Sequence, residues 1–217
     1  MVDHTFLYTG AVNKIKELVK GNELGEIKYF DSTRINLGLF QPDINVLWDL
    51  APHDISILLH IIDNYPISVN ATGISHTNND IENIGYLTLN FTNNLIAHFN
   101  CSWSSPVKVR NTLISGSKKM VLFNDLEPSE KIRIYDTSYN HETYEDKKRI
   151  LVDYRTGNVK IPKLNSKEAL SEVAKDFINS IINKKEPISN SKLGLNVVKI
   201  LEAAQSSIKN NGKEIKI

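Results

Sequence analysis

Apolar positions change their period several times along the chain. MVDHTFLY is strand-like from its first residues. TGAVNKIKELVKGN then predicts a helix, with Val12, Ile15, Leu18 and Val19 on one face, Thr9 placed to cap it and Gly21 to end it. GEIKYFDSTRINLG alternates as a long strand, Tyr29, Thr33, Ile35 and Leu37 pointing one way and Lys28, Ser32, Arg34 and Asn36 the other. A second helix is expected over residues 51–62, with Pro52 in its first turn and Ile55, Leu58, Leu59 and Ile62 as its buried stripe.

Residues 66–162 read as β-rich: ISVNATGISH, IGYLTLNF, LIAHFNCSW, VKVRNTLIS, KMVLFN, KIRIYD and RILVDY have strand patterning. Asn93-Asn94 and Thr156-Gly157-Asn158 fall where hairpin turns are needed, and 125–131 and 137–147 read as loops. Two helices close the chain. The first carries Asn165 and Glu168 at capping-box spacing, with Leu170, Val173, Phe177 and Ile181 as its stripe, and the second runs towards a cap at Gly212.

The predicted fold class is α+β, a large mixed, mainly antiparallel open β-sheet with helices packed on one face. Val107, Val109 and Leu113 on one side, and Ile84, Tyr86 and Ile96 on another, put apolar groups on both sheet faces. The face without helices is therefore expected to be buried in a homo-oligomer.

Composition narrows the function classes. A formal net charge of +1 over 217 residues provides no field for nucleic acid or an acidic membrane. No apolar run reaches the length of a membrane span. The single cysteine, Cys101, precludes an intrachain disulfide and suggests a reducing, cytoplasmic setting. The ten glycines never fall into G-x-G-x-x-G or P-loop spacing, so these residues contain no visible nucleotide-binding half.

The chemistry-bearing stretch is WDLAPHDIS, residues 48–56. Asp49 and His53 stand four apart around Pro52. By spacing alone the bland assignment leads: Asp49 caps or faces the helix dipole, and His53 is an exposed first-turn residue. The sharper alternative makes Asp49 the carboxylate that fixes the His53 tautomer, leaving His53 a general base, with Trp48 limiting water. A metal set from His4, Asp49, His53, Asp54 and His60 is disfavoured, because the spacing contains no H-x-x-x-H or H-E-x-x-H pair. Arg34 and Asn36 share one face of the long strand, where a solvated sheet surface is the simpler assignment. Lys108 and Arg110 share a face of another strand, and Cys101 beside Trp103 reads as core.

Taken in order, HTFLYTGAVNKIKELVKGNELGEIKYFDSTRIN, WDLAPHDISILLHI, SWSSPVKVR with GSKK, and GLNVVKILEAAQSSIKNNG resemble the C-terminal part of the Gfo/Idh/MocA family of NAD(P)-dependent oxidoreductases. The resemblance implies an N-terminal Rossmann domain that binds NAD or NADP, followed by a domain whose open sheet carries substrate and builds dimers or tetramers. It makes residues 1–24 a remnant of the last Rossmann-side strand and connecting helix, and 25–217 the substrate-binding and oligomerisation domain. By the same resemblance His53 takes the proton from a sugar or polyol hydroxyl as hydride leaves, and Asp49 orients it and contacts substrate. Arg34, Asn36 and Trp48 are the implied substrate-binding side chains. The G-x-G-x-x-G loop and the family's E-K-P motif are missing; Lys184-Lys185-Glu186-Pro187 has the wrong order and place. The expectation is a truncated form that works only with a separate Rossmann-domain chain. The alternatives are an inactive sugar-binding or assembly module and, last, a metal-dependent hydrolase.

Overall fold

A computed structural model describes residues 1–78, 80–136 and 157–217, together with the backbone of two short strands at 138–140 and 153–155. A 3-10 turn (Thr5–Tyr8) leads into α1 (Gly10–Lys20), β1 (Ile27–Leu37), α2 (Val46–Ile61), β2 (Ser68–Ile74), β3 (Ile84–Asn90), β4 (Ile96–Ser102), β5 (Ser104–Gly116), β6 (Met120–Asn124) and β7 (Ile132–Tyr135). Strands β8 (Ser138–Asn140), β9 (Asp153–Arg155) and β10 (Val159–Lys160), helices α3 (Ala169–Asn183) and α4 (Ser191–Lys209), and β11 (Ile215–Lys216) complete the order.

Nine strands form one sheet in the order β10-β7-β6-β5-β1-β4-β3-β2-β11, while β8 and β9 pair separately. All neighbours in the large sheet run antiparallel except β1 and β4. A parallel pair needs a crossover, and the β1–β4 connection contains α2 and the β2–β3 hairpin. The fold is thus the α+β architecture with a mixed, mainly antiparallel open sheet.

One core joins sheet and helices. Phe30 of β1, Leu87 and Leu89 of β3, and Ala97 and Phe99 of β4 belong to the same buried cluster as Ile55, Leu58 and Ile61 of α2 and Val197, Ile200 and Leu201 of α4. Leu7, Val12, Ile15 and Leu18 belong to it too, so residues 1–24 share the core of the rest.

Several sequence expectations are corrected. The strand expected in MVDHTFLY is a 3-10 turn, because Leu7 N donates to the His4 carbonyl and Thr9 N to that of Phe6, spending on a local turn the groups a ladder would need. Helix α2 begins at Val46, not near residue 51. Asn45 caps it, its side chain accepting from Leu47 N at 3.1 Å and Trp48 N at 3.2 Å, so Asp49 is a first-turn acid and not the cap. Pro52 lies inside the helix and cannot give the Trp48 carbonyl its helical bond.

The β1 faces are also reversed in character. The side bearing Ser32 and Arg34 is buried under the helices, while Tyr29, Thr33 and Ile35 are on the open side. Register puts Val109 opposite Ile35, Ile96 opposite Tyr29, and Tyr86 opposite Asn100, whose partner on β1 is Thr33. The apolar residues expected on two faces therefore share the open one. At α3 no capping box forms: the helix starts at Ala169, and the Asn165 side chain accepts from Lys167 N at 3.1 Å. Of its expected stripe, Leu170, Phe177 and Ile181 are exposed and Val173 is half-buried against the core. Of the expected 137–147 loop, 138–140 is strand β8; residues 137 and 141–147, the start of RILVDY and Thr156 lie outside the described residues. The cap of α1 by Thr9, the Asn93-Asn94 turn with Asn94 at φ 56°, and Gly212 at φ 80° after α4 match the patterning.

Candidate active site around His53

Helix α2 lies on the covered sheet face, and its first three turns carry the WDLAPHDIS side chains, with Asp54 reaching Arg34 near the end of β1. Asp54 receives Arg34 through two bonds, Nε to Oδ2 and a terminal guanidinium nitrogen to Oδ1, both 2.8 Å. Arg34 is 4% and Asp54 2% exposed. A fork of this kind satisfies both charges where neither could be left alone. The Arg34 guanidinium carbon also stands 4.9 Å from the Phe6 ring centre.

Phe6 links that pair to the candidate base. Its ring meets the His53 imidazole edge-on at 5.3 Å between centres. His53 is half-buried, and burial lowers its pKa from the ordinary histidine value; the charges of Arg34, Arg110 and His4 lower it further, against an opposing pull from Asp54. The imidazole is therefore neutral at neutral pH, with a lone pair free to accept a proton.

Asp49 is engaged elsewhere. Its Oδ2 accepts from the Trp103 indole at 2.8 Å, and among the described residues no hydrogen bond joins it to the His53 ring. Trp103 is 1% exposed and stacks obliquely on Phe40 at 5.7 Å. Asn36 borders the same corner: a side chain at Gly38 would meet both its amide and Trp103 at 3.0 Å.

Of the sequence-predicted set, Arg34 is not presented to solvent for direct substrate contact, because Asp54 takes its fork inside the core. Trp48 lines a separate hollow of about 630 Å³ with Asp43, Asn45, Glu82 and Gln205, which neither Asp49 nor His53 lines. His60 turns away to the Lys16 ammonium, 3.1 Å from its Nε2. Among the described residues, His4, Asp49, His53, Asp54 and His60 do not gather into a group of three or more metal-ligating side chains.

Sequence alone assigns no site contact to four groups: Phe6 and Trp103 have only an apolar signal, Asp54 enters only as a possible metal ligand, and Arg110 only as sharing a strand face with Lys108. Arg110 pairs across β1 with Arg34, bonds Asp125 at 3.3 Å, and leaves its Nε buried without a partner among the described residues, as is the Nε2 of His4. Only the alternation of β1 and β5 hinted that the two arginines share a face.

A family model described as the GFO/IDH/MocA C-terminal domain matches residues 12–122. Among curated proteins none matches the sequence. Solved structures with the same fold include the UDP-N-acetylglucosamine 3-dehydrogenase GnnA from Acidithiobacillus ferrooxidans, at 18% identity and TM-score 0.75, covering 97% of this chain and 61% of that one. The aldose-aldose oxidoreductase from Caulobacter crescentus, complexed with glycerol, is similar at 16% identity and TM-score 0.79 over 100% and 63%. An oxidoreductase from Agrobacterium radiobacter, in complex with NAD+, L-tartaric acid and magnesium, is similar at 14% and TM-score 0.73 over 100% and 64%. The chain thus spans less than two thirds of the length of these relatives.

Proposed function

Since the chain belongs to the GFO/IDH/MocA family, through its C-terminal domain, we propose that it is the substrate-binding part of an NAD(P)-dependent sugar or polyol dehydrogenase. Nucleotide-activated sugars are the favoured substrates, as for the similar dehydrogenase of Acidithiobacillus ferrooxidans. The observation that carries the reading is His53: a neutral imidazole, fixed by Phe6 and flanked by the Arg34–Asp54 pair.

In this reading His53 accepts the proton of the substrate hydroxyl. The positive charge of Arg34 and Arg110, which favours neutral His53, equally favours the oxyanion formed as that proton leaves. Asp49 positions substrate from the Trp103 corner, with Asn36 beside it. Arg34 acts through Phe6 and Asp54, a positioning residue. The polar groups around His53 are compatible with a nicotinamide cofactor: the charges of His4 and Arg110 act on the imidazole, and among the described residues the Nε2 of His4 and Nε of Arg110 are buried without hydrogen-bond partners. The cofactor, when bound, supplies the hydride acceptor, and a Rossmann domain on the same or another chain holds most of it. The open sheet face, with Tyr86 and Ile96 nearly half exposed, joins copies of the chain into an oligomer.

A sugar-binding or assembly module without turnover has one observation in its favour, the engagement of Asp49 by Trp103 and not by His53. Calorimetric titration with NAD, NADH and NADP, alone and with a folded Rossmann domain supplied, separates the two. Turnover of a sugar or polyol in the mixture, abolished by His53→Ala, is expected. A mixture that binds cofactor and sugar but turns neither over leaves the module.

A further inference from the structure

Arg34 and Arg110 are register partners on β1 and β5, so their side chains leave the same face of the sheet. Their guanidinium groups are filled differently. The Nε–Nη2 edge of Arg34 forks onto the Asp54 carboxylate, both bonds 2.8 Å. The same edge of Arg110 is open. Its Nη1 donates to Asp125 Oδ2 at 3.3 Å, and its Nε is buried without a partner among the described residues. A buried donor in that state destabilises the protein until something accepts from it. The side chain as a whole is 30% exposed, so the guanidinium is reachable from solvent and a turn of it brings Nε to an acceptor.

Charge points the same way. Asp125 is shared, with Lys131 Nζ 3.8 Å from its Oδ1, so one carboxylate faces two cations. Lys108, two residues from Arg110 on the same strand face, is exposed. Arg34 and Asp54 cancel, and against Arg110, Lys131 and Lys108 stand only Asp125 and Asp49, the latter held by the Trp103 indole. The charge of Arg110 acts on His53, and such an influence falls off with distance, so the open edge belongs to the surroundings of the candidate base.

We propose that the Nε–Nη2 edge of Arg110 is a substrate subsite for an oxyanion, so that the preferred substrate is an anionic sugar and not a neutral sugar or polyol. The inference rests on the dehydrogenase reading and sharpens its substrate class. Two parallel N–H donors match two oxygens of one carboxylate or phosphoryl group, as Asp54 shows on Arg34. A sugar can bring that chemistry as a carboxylate on its own carbon skeleton or as a phosphoryl group on its anomeric oxygen. Arg110 is in this role a specificity residue, and Lys108 adds attraction from the rim.

The full chain is titrated with glucuronate and galacturonate, with glucose and galactose 1-phosphates, with glucose and galactose, and with acetate. The Arg110 Nε–H and His53 ring signals are followed by NMR, Arg110→Lys assigning the former. An anionic sugar is expected to bind about tenfold or more tighter than its neutral parent and to shift the Arg110 signal. The tighter anion, uronate or 1-phosphate, names the source of the oxyanion. The preference should vanish in Arg110→Gln and survive only in part in Arg110→Lys, which keeps the charge and loses the fork. Because the Nε–H signal is read in the parent chain, the outcome does not depend on the folding of Arg110→Gln. Equal binding of charged and neutral sugars, or no binding of any, overturns the proposal. Acetate matching the uronates also overturns it, since that is an anion site without a sugar. A folded Rossmann domain and NAD are then added. Neutral sugars turned over as fast as anionic ones, in a reaction abolished by His53→Ala, overturn the subsite and leave the dehydrogenase reading standing. An anionic preference lost in Arg110→Gln, with no turnover of any sugar, keeps the subsite and sinks the dehydrogenase reading.

Discussion

Arg34 and Asp54 form a two-pronged ion pair inside the core, both bonds 2.8 Å, directly behind the candidate base. It ties the long strand β1 to helix α2 at the place where the helix carries His53. Loss of one partner strands the other charge away from water. Arg34→Ala and Asp54→Ala are each expected to cost about 3–5 kcal/mol in urea unfolding. Replacing both, as Arg34→Met with Asp54→Leu, should recover most of that stability. Equal losses in the single and double variants would show that the pair is not what holds the two elements together.

His53 is expected to matter for turnover and little for folding. With a cofactor-holding domain supplied, His53→Gln should lower turnover by about 10²–10⁴-fold and leave the unfolding midpoint near that of the parent. Because the base works deprotonated, kcat/KM should rise with pH through a value below that of ordinary histidine, the direction set by burial and the neighbouring arginines. A profile that rises only at alkaline pH would remove His53 from the role.

Trp103 and Asp49 provide a separable test. Trp103→Phe keeps much of the buried ring but withdraws the donor to Asp49 Oδ2. The expected cost is about 1–3 kcal/mol, with substrate KM rising as the carboxylate loses its orientation. In a double-mutant cycle with Asp49→Leu the two losses should not add. Additive losses would mean that the indole bond does not position Asp49.

The stability of the fold should depend on His60. Burial, and then the charges of Lys16 and Lys20, depress its pKa from 6.5 to about 4. The folded state therefore binds the proton less readily than the unfolded chain. Its stabilising contribution is complete above about pH 6.5 and is lost as pH falls towards 4. His60→Gln, which keeps an acceptor for Lys16, should flatten the fall of Tm across that window. An unchanged slope would place the acid sensitivity elsewhere.

The open sheet face should behave as an interface between copies. Tyr86→Glu and Ile96→Glu are expected to weaken self-association by about tenfold or more in sedimentation, with the fold intact by circular dichroism. Unchanged sedimentation at micromolar concentration would leave that face uncovered.

Much of this was legible in the residues. Period-two stretches located β1 and the β3–β4 hairpin, and Asn93-Asn94 located its turn, because alternation and turn chemistry are local properties. Thr9 and Gly21 bounded α1 for the same reason. The beginning of α2 was missed because Pro52, and not Asn45, was taken to mark the start. Pro52 suggested a first turn, while Asn45 had the better side chain for the job, and the buried turn it starts decided the contest.

Pattern by itself determined the α+β class, the mixed open sheet and the His53-bearing helix, since each depends on the order and period of apolar residues. Tertiary structure alone decided which side of the sheet was inside. Arg34 is a polar residue on a strand, and alternation would send it to solvent; a carboxylate one helix away made its burial tolerable. The same holds for Asp49, whose partner Trp103 is 54 residues away, and for the stripe of α3, of which Val173 packs on the core while Leu170, Phe177 and Ile181 are exposed. Which side chains meet across long sequence separations depends on packing in three dimensions, and no local period encodes it.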